Sequence, residues 1–318
     1  MVHIGETATF SCEYSQNHIN DPKIIFKEGE DSIEMIYSTW KKEERFSVSD
    51  DKQKNLFSVR ITAVRPDDGG VYLCGVWIRG QSYSYYIINT VHLHVSMAPV
   101  VRHEGESAEI ICPYDSIYKS KSKSLCKGKC STRDRNTLNE EKETKTDRLT
   151  LNDDGTASVF TGTITGLTAE DAGKYWCAVT LERDVNYLYT HLIVIMNEEL
   201  NLTKYEGDDM SIQCKHHDEH QKLFCKAHEP SVCVKDGVSL ETIRDDRFSF
   251  SDEASTGVFT VNITDLREED SGIYWCGAHI ITKVSLNVKQ DFSLFIIISI
   301  CSTLLLIGGF TVIECLIR

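Results

Sequence analysis

Apolar and polar positions alternate in short runs along most of this chain. Phe57, Val59 and Ile61 are separated by Ser58 and Arg60, and Phe259, Val261 and Ile263 by Thr260 and Asn262. A period of two buries one face of an extended strand and leaves the other in water. Phe160, Gly162 and Ile164 hold the matching row of a third run, where the glycine is expected to weaken the middle. Before each run lies an Arg-led strand of one design: RFSVSDD at 45–51, RLTLNDD at 148–154 and RFSFSDE at 247–253. Many short strands separated by turn residues predict a β-sandwich. The pattern changes once, from Phe292 to Ile313, where no charge interrupts the apolar run. As a helix that run would reach roughly 33 Å, enough to cross a bilayer core.

The strands belong to a unit written three times. Asp68-x-Gly70-x-Tyr72-x-Cys74 returns as Asp171-x-Gly173-x-Tyr175-x-Cys177 and as Asp270-x-Gly272-x-Tyr274-x-Cys276. An Arg stands 23 positions before each Asp (Arg45, Arg148, Arg247), and a Gly stands seven before each earlier Cys (Cys12, Cys112, Cys214). Fixed offsets of this kind mark tandem domains. The expected organisation is all-β: three tandem sandwiches at 1–96 (N-terminally incomplete), 97–196 and 197–289. A transmembrane helix at 292–313 and a cytoplasmic tail at 314–318 would follow. In each sandwich the two Cys would join the sheets, the Tyr two before the second Cys would occupy a tyrosine corner, and the Arg and Asp would close one end as a bidentate charge pair. The Cys spacing favours the variable type.

Charge and cysteine content narrow the function. A net charge of −14 disfavours nucleic acid, which needs a basic stripe. Ten of the twelve Cys precede the apolar run, and the repeated pairs each close a loop of a little over sixty residues. Such a bridge is worth about 4 kcal/mol in the loop-entropy model and implies an oxidising compartment. With Met1 so close to the first repeat and no leader ahead of it, the sequence reads as an incomplete gene model or a mature fragment. A metal site competes for His216, His217, His220, Cys225, His228 and Cys233, but domain two has the same Cys positions without histidines. A shared disulfide therefore explains both copies better than zinc. No motif ties a nucleophile to a base and no phosphate loop follows a strand, so neither catalysis nor a cofactor is expected.

The chain resembles the polymeric immunoglobulin receptor family and the related leukocyte mono-Ig-like receptors. YWCAV at 175–179, YWCGA at 274–278, the SDD-type strand ends and a second Cys pair carry the resemblance. It implies bridges Cys126–Cys130 in domain two and Cys225–Cys233 in domain three. KIIFK (23–27) in domain one carries Phe26 where KSLCK and KLFCK carry Cys126 and Cys225. Leu125, Phe224 and Ile25 stand where the family usually has Trp. The resemblance further implies a type I single-pass plasma-membrane receptor of innate immunity. Its ligand would be extracellular: a protein such as polymeric immunoglobulin, or an anionic lipid or microbial surface.

The loop after Cys74, GVWIRGQSYSYY, is the binding candidate, with Trp77, Arg79, Tyr83 and Tyr85 as contact residues of the F–G tip. The family's B–C loop maps to about Tyr14–Pro22. For a lipid site, Glu182 and Asp184 are the only match, in domain two. Asn201-Leu-Thr and Asn262-Ile-Thr are glycosylation sequons, with Asn262 facing solvent. Glu314 at the inner membrane edge would pair with a basic residue of an adaptor helix. The tail carries no Tyr, so any signal would pass through that partner.

Overall fold

The computed structural model describes residues 2–28, 33–37, 44–78, 84–131, 148–215, 222–235, 245–253 and 257–290. They build an all-β chain that divides into two compact bodies between Ile195 and Met196. The first body contains domains one and two, the second domain three.

Each domain has a three-stranded antiparallel sheet of the same order. In domain one it is Ala8–Glu13, Leu56–Ile61 and Phe46–Asp51; in domain two Ala108–Pro113, Val159–Ile164 and Leu149–Asp154; in domain three Met210–Lys215, Val258–Ile263 and Phe248–Glu253. The alternation explains the packing. Phe57, Val59 and Ile61 are fully buried, as are Val261 and Ile263 with Phe259 beside them. Opposite, domain one sets Ile33–Tyr37, Lys23–Glu28, Gly70–Ile78 and Ser84–Leu93 into a four-stranded sheet. Ser122–Lys127 and Gly173–Thr180 pair likewise in domain two, and Leu223–Lys226, Gly272–Gly277 and Ile280–Lys289 in domain three.

Gly162 has a packing reason within strand Val159–Ile164. A Cβ there would lie 2.3 Å from Leu125 Cδ2, so the glycine makes room for a Leu that is almost wholly buried. A short helix, Pro230–Lys235, was not announced by the periodicity and carries Cys233 to Cys225.

Within the first body, domains one and two are joined through backbone. Val95–Ser96 pairs in parallel with Val2–His3 and also with Leu188–Tyr189. Met97 N donates to Tyr189 O at 2.9 Å, and Thr190 Oγ1 to Ala98 O at 2.8 Å. Among the described residues no helix is long and apolar enough to cross a membrane. The expected span 292–313 and Glu314 lie outside the described residues.

Candidate binding surface

The repeated residues assemble one frame in every domain. Cys12–Cys74, Cys112–Cys177 and Cys214–Cys276 link the facing sheets, with Cα atoms 6.4, 6.0 and 5.5 Å apart. Cys126–Cys130 and Cys225–Cys233 are paired as well. At the lower end of each sandwich, Arg45 grips Asp68 at 2.7 and 2.8 Å, Arg148 grips Asp171 at 2.8 and 2.9 Å, and Arg247 grips Asp270 at 2.7 and 3.0 Å. Each Asp also accepts from the backbone N–H three residues earlier, capping a 3₁₀ turn. The corner tyrosines Tyr72, Tyr175 and Tyr274 donate to the carbonyls of those same Asp residues. Burial alone would raise the Asp171 and Asp270 carboxyls, but bonds from the partner Arg and from backbone outweigh it and hold both below the usual range.

Two further repeated residues were overlooked by the sequence reading. The lysines that bracket KIIFK, KSLCK and KLFCK turn inward at opposite ends of their sandwich. Lys27, Lys127 and Lys226 donate to the carbonyls of Asp67, Glu170 and Glu269 near the Arg–Asp clasp. Lys23, Lys123 and Lys222 pair with Asp50, Asp153 and Asp252 at the upper end. The threefold recurrence of Lys four apart was the available signal. A lysine stem can lie along an apolar core while its ammonium finds a carbonyl or carboxylate at the rim.

At the tip of domain one, these contacts fix the turn between the first sheet and strand Lys23–Glu28. Ser15 Oγ caps the 3₁₀ turn Gln16–His18, and His18 Nδ1 lies 2.8 Å from Asp21 Oδ2. Lys23 Nζ donates to His18 O and Asp21 O at 2.9 and 2.8 Å and sits 3.9 Å above the Tyr14 ring. Tyr14 is buried and donates to Asp50, and burial with that bond pushes its hydroxyl up to about 12. Tyr14 thus anchors the expected ligand loop from inside rather than forming part of its surface.

The aromatic candidates sit differently from the loop first expected. Trp77 is the last residue but one of strand Gly70–Ile78 and pairs directly with Tyr85 in strand Ser84–Leu93, so both are strand residues; this corrects their placement in the loop. Trp77 is half-buried, and its backbone N–H donates to Pro22 O at 2.9 Å. Tyr85 lies on Phe26 with ring centroids 4.8 Å apart, covering the position that carries the second disulfide elsewhere. Tyr86 faces the His18 ring at 6.0 Å. Tyr85 and Tyr86 remain 47% and 55% exposed, with Ile78 at 37% beside them. Arg79 and Tyr83 lie outside the described residues, as do His216, His217 and His220.

Elsewhere, Asp184 accepts from Thr180 Oγ1 and Arg183 pairs with Glu28 of domain one, so this turn faces a domain. Among the described residues no cluster of His, Cys, Asp or Glu could hold a metal ion. Asn201 is exposed, and half-buried Asn262 shares a 2.6 Å hydrogen bond with Ser211 Oγ.

Residues 1–96, 97–195 and 197–296 each match the immunoglobulin V-set domain. The chain belongs to the immunoglobulin V-set family. Its V-set domains are similar to the polymeric immunoglobulin receptor of Bos taurus, 26% identical over 308 residues, or 86% of this chain. The rat receptor is 26% identical over 306 residues. The chain spans about 39% of the length of these relatives. A shorter match, 36% identical over 78 residues, covers 24% of this chain and 38% of human CMRF35-like molecule 2. Among solved structures, the teleost fish polymeric Ig receptor ectodomain is 21% identical, covering 62% of this chain and 97% of that one with a TM-score of 0.25.

Proposed function

We propose that this V-set chain is a cell-surface immune receptor that holds an extracellular protein at the tip of domain one, binding without catalysing. The observation that carries the proposal is the exposed pair Ile78 and Tyr86, which alternation puts on one face of their paired strands, with Tyr86 facing His18 in the turn that Lys23 bonds, while Tyr85 is exposed on the opposite face. Tyrosines offer large contact area at small entropic cost, and a pre-fixed loop loses little freedom on binding. Arg79 and Tyr83, next in sequence to these residues, complete the proposed contact set with Trp77, the direct strand partner of Tyr85.

Polymeric immunoglobulin is the ligand to test first, because relatives bearing that name match along most of the chain. The apolar run 292–313 would anchor the receptor in the plasma membrane as a type I protein. Glu314 would engage an adaptor's basic residue, and Asn201 and Asn262 would carry glycans. Cells displaying the chain behind a secretory signal peptide, incubated with fluorescent polymeric immunoglobulin and separately with phosphatidylserine vesicles, test the proposal. Saturable immunoglobulin binding that Tyr86→Ala or Arg79→Ala removes is expected. Vesicle binding that those changes leave intact would instead make the chain a lipid sensor.

A further inference from the structure

In a V-type sandwich the tip carries the ligand loops, yet in domain two the tip loops are engaged by domain one. The capped turn Ser116–Tyr118 and the residues from Leu181 to Tyr187 lie against the base of that domain. Lys27 Nζ reaches Asp115 Oδ2 at 2.8 Å, and Tyr118 donates its hydroxyl to Glu28 O at 2.9 Å. Arg183 Nη2 meets Glu28 Oε2 at 2.7 Å. Tyr118 and Tyr187 are fully buried, and Lys27 is only 3% exposed.

Two adjacent glycines show which part of this base serves the fold and which serves the contact. Gly70 has φ +139°, and its counterparts Gly173 and Gly272 have +151° and +152°; all three copies need glycine there for backbone reasons. Gly69 has φ −61° and ψ 150°, which any residue adopts. At the same corner domain two has Ala172 (−63°, 138°) and domain three Ser271 (−57°, 139°). The sandwich therefore does not require glycine at position 69. Its neighbour does: a Cβ on Gly69 would stand 2.3 Å from the Tyr187 carbonyl oxygen.

We propose that the tip of domain two is a dedicated socket for the base of domain one. The loops that could have bound an outside ligand are occupied from within the chain, and domains one and two act as one module. The joint is cemented by the strand pairing of Val95–Ser96 with Leu188–Tyr189. Its residues are not part of the repeat: Asp115 and Tyr118 correspond in sequence to His217 and His220 of domain three, and Gly69 to Ala172 of domain two.

Hydrogen–deuterium exchange on the full chain tests the socket. Gly69→Ala is expected to speed exchange about tenfold in Ser116–Tyr118 and Asp184–Tyr189, while strand Leu56–Ile61 keeps its protection. Asp115→Asn, made from the other side and leaving domain one's sequence intact, is expected to expose the same amides. If both variants exchange like the parent across the joint, the socket is wrong. Should Gly69→Ala unfold domain one altogether, Asp115→Asn alone decides: an unchanged pattern overturns the proposal, and selective loss of protection at the joint supports it.

Discussion

Arg247 holds Asp270 through both terminal nitrogens of its guanidinium, and Asp245 lies 2.9 Å from the same group. The equivalent Arg148–Asp171 clasp is more open, with Arg148 39% exposed against 12% for Arg247. Removing one member of a buried ion pair leaves the other charge stranded, whereas an exposed one is rescued by water. Arg247→Met should therefore destabilise domain three by about 3 kcal/mol, and Arg148→Met should cost domain two about half of that. Urea unfolding, followed by proteolysis of each domain, separates the two.

The same clasps should weaken in acid. The Asp171 and Asp270 carboxyls are held below their ordinary value, about 3.9 in an unfolded chain. Their contribution is present in full above that value and is lost as pH falls through the lower folded values. Asp270→Asn should flatten the unfolding free energy of domain three against pH below about pH 4, measured by denaturant titration.

His94 governs a milder window. Its ring meets Trp176 of domain two edge-on at 4.9 Å, and burial first, then the nearby charges of Lys129, His92 and Lys174, push it from 6.5 down to about 4. Protonation then favours the unfolded chain. The His94 contribution is intact above pH 6.5 and declines as pH falls from there towards 4. The melting temperature of the parent should drop more than that of His94→Gln over this interval, and equal slopes would exclude a role for the ring.

Gly162 and Leu125 share one volume. Gly162→Val should destabilise domain two by about 2 kcal/mol through overpacking, and adding Leu125→Ala should recover part of the loss. Thermal unfolding of both variants checks this, since non-additive effects are expected only of residues in contact.

The bridges should differ by their loops. Replacing Cys126 and Cys130 with Ser should cost about 2 kcal/mol, against about 4 kcal/mol for Cys112 and Cys177, whose closed loop is far longer. Comparing denaturation midpoints of the two double variants gives the ratio directly.

The frame was readable because repetition multiplies weak signals: Arg45, Asp68, Tyr72 and Cys74 each recur at one offset, and each meets its partner in the sandwich. The inward lysines recur as regularly, but a charged residue beside a strand suggests a solvent face, and only the fold shows carbonyls waiting at the rim. The direct pairing of Trp77 with Tyr85 is a matter of register, which the residues of the run do not state. Gly69 was illegible in principle. Its reason lies in Tyr187, more than a hundred residues away, and no local pattern encodes a contact between domains.

Only Met97, Ala98 and Pro99 separate the paired residues Val95–Ser96 from strand Val100–His103. So short a tether makes the encounter of the two domains intramolecular, with an effective concentration of millimolar order or above. Contacts as small as Arg183–Glu28 then suffice to keep the domains together, although the same surfaces on separate molecules would barely meet. Lengthening those three residues with a flexible insert would dilute each domain in the presence of the other, and the joint would come apart with every one of its contacting side chains still in place.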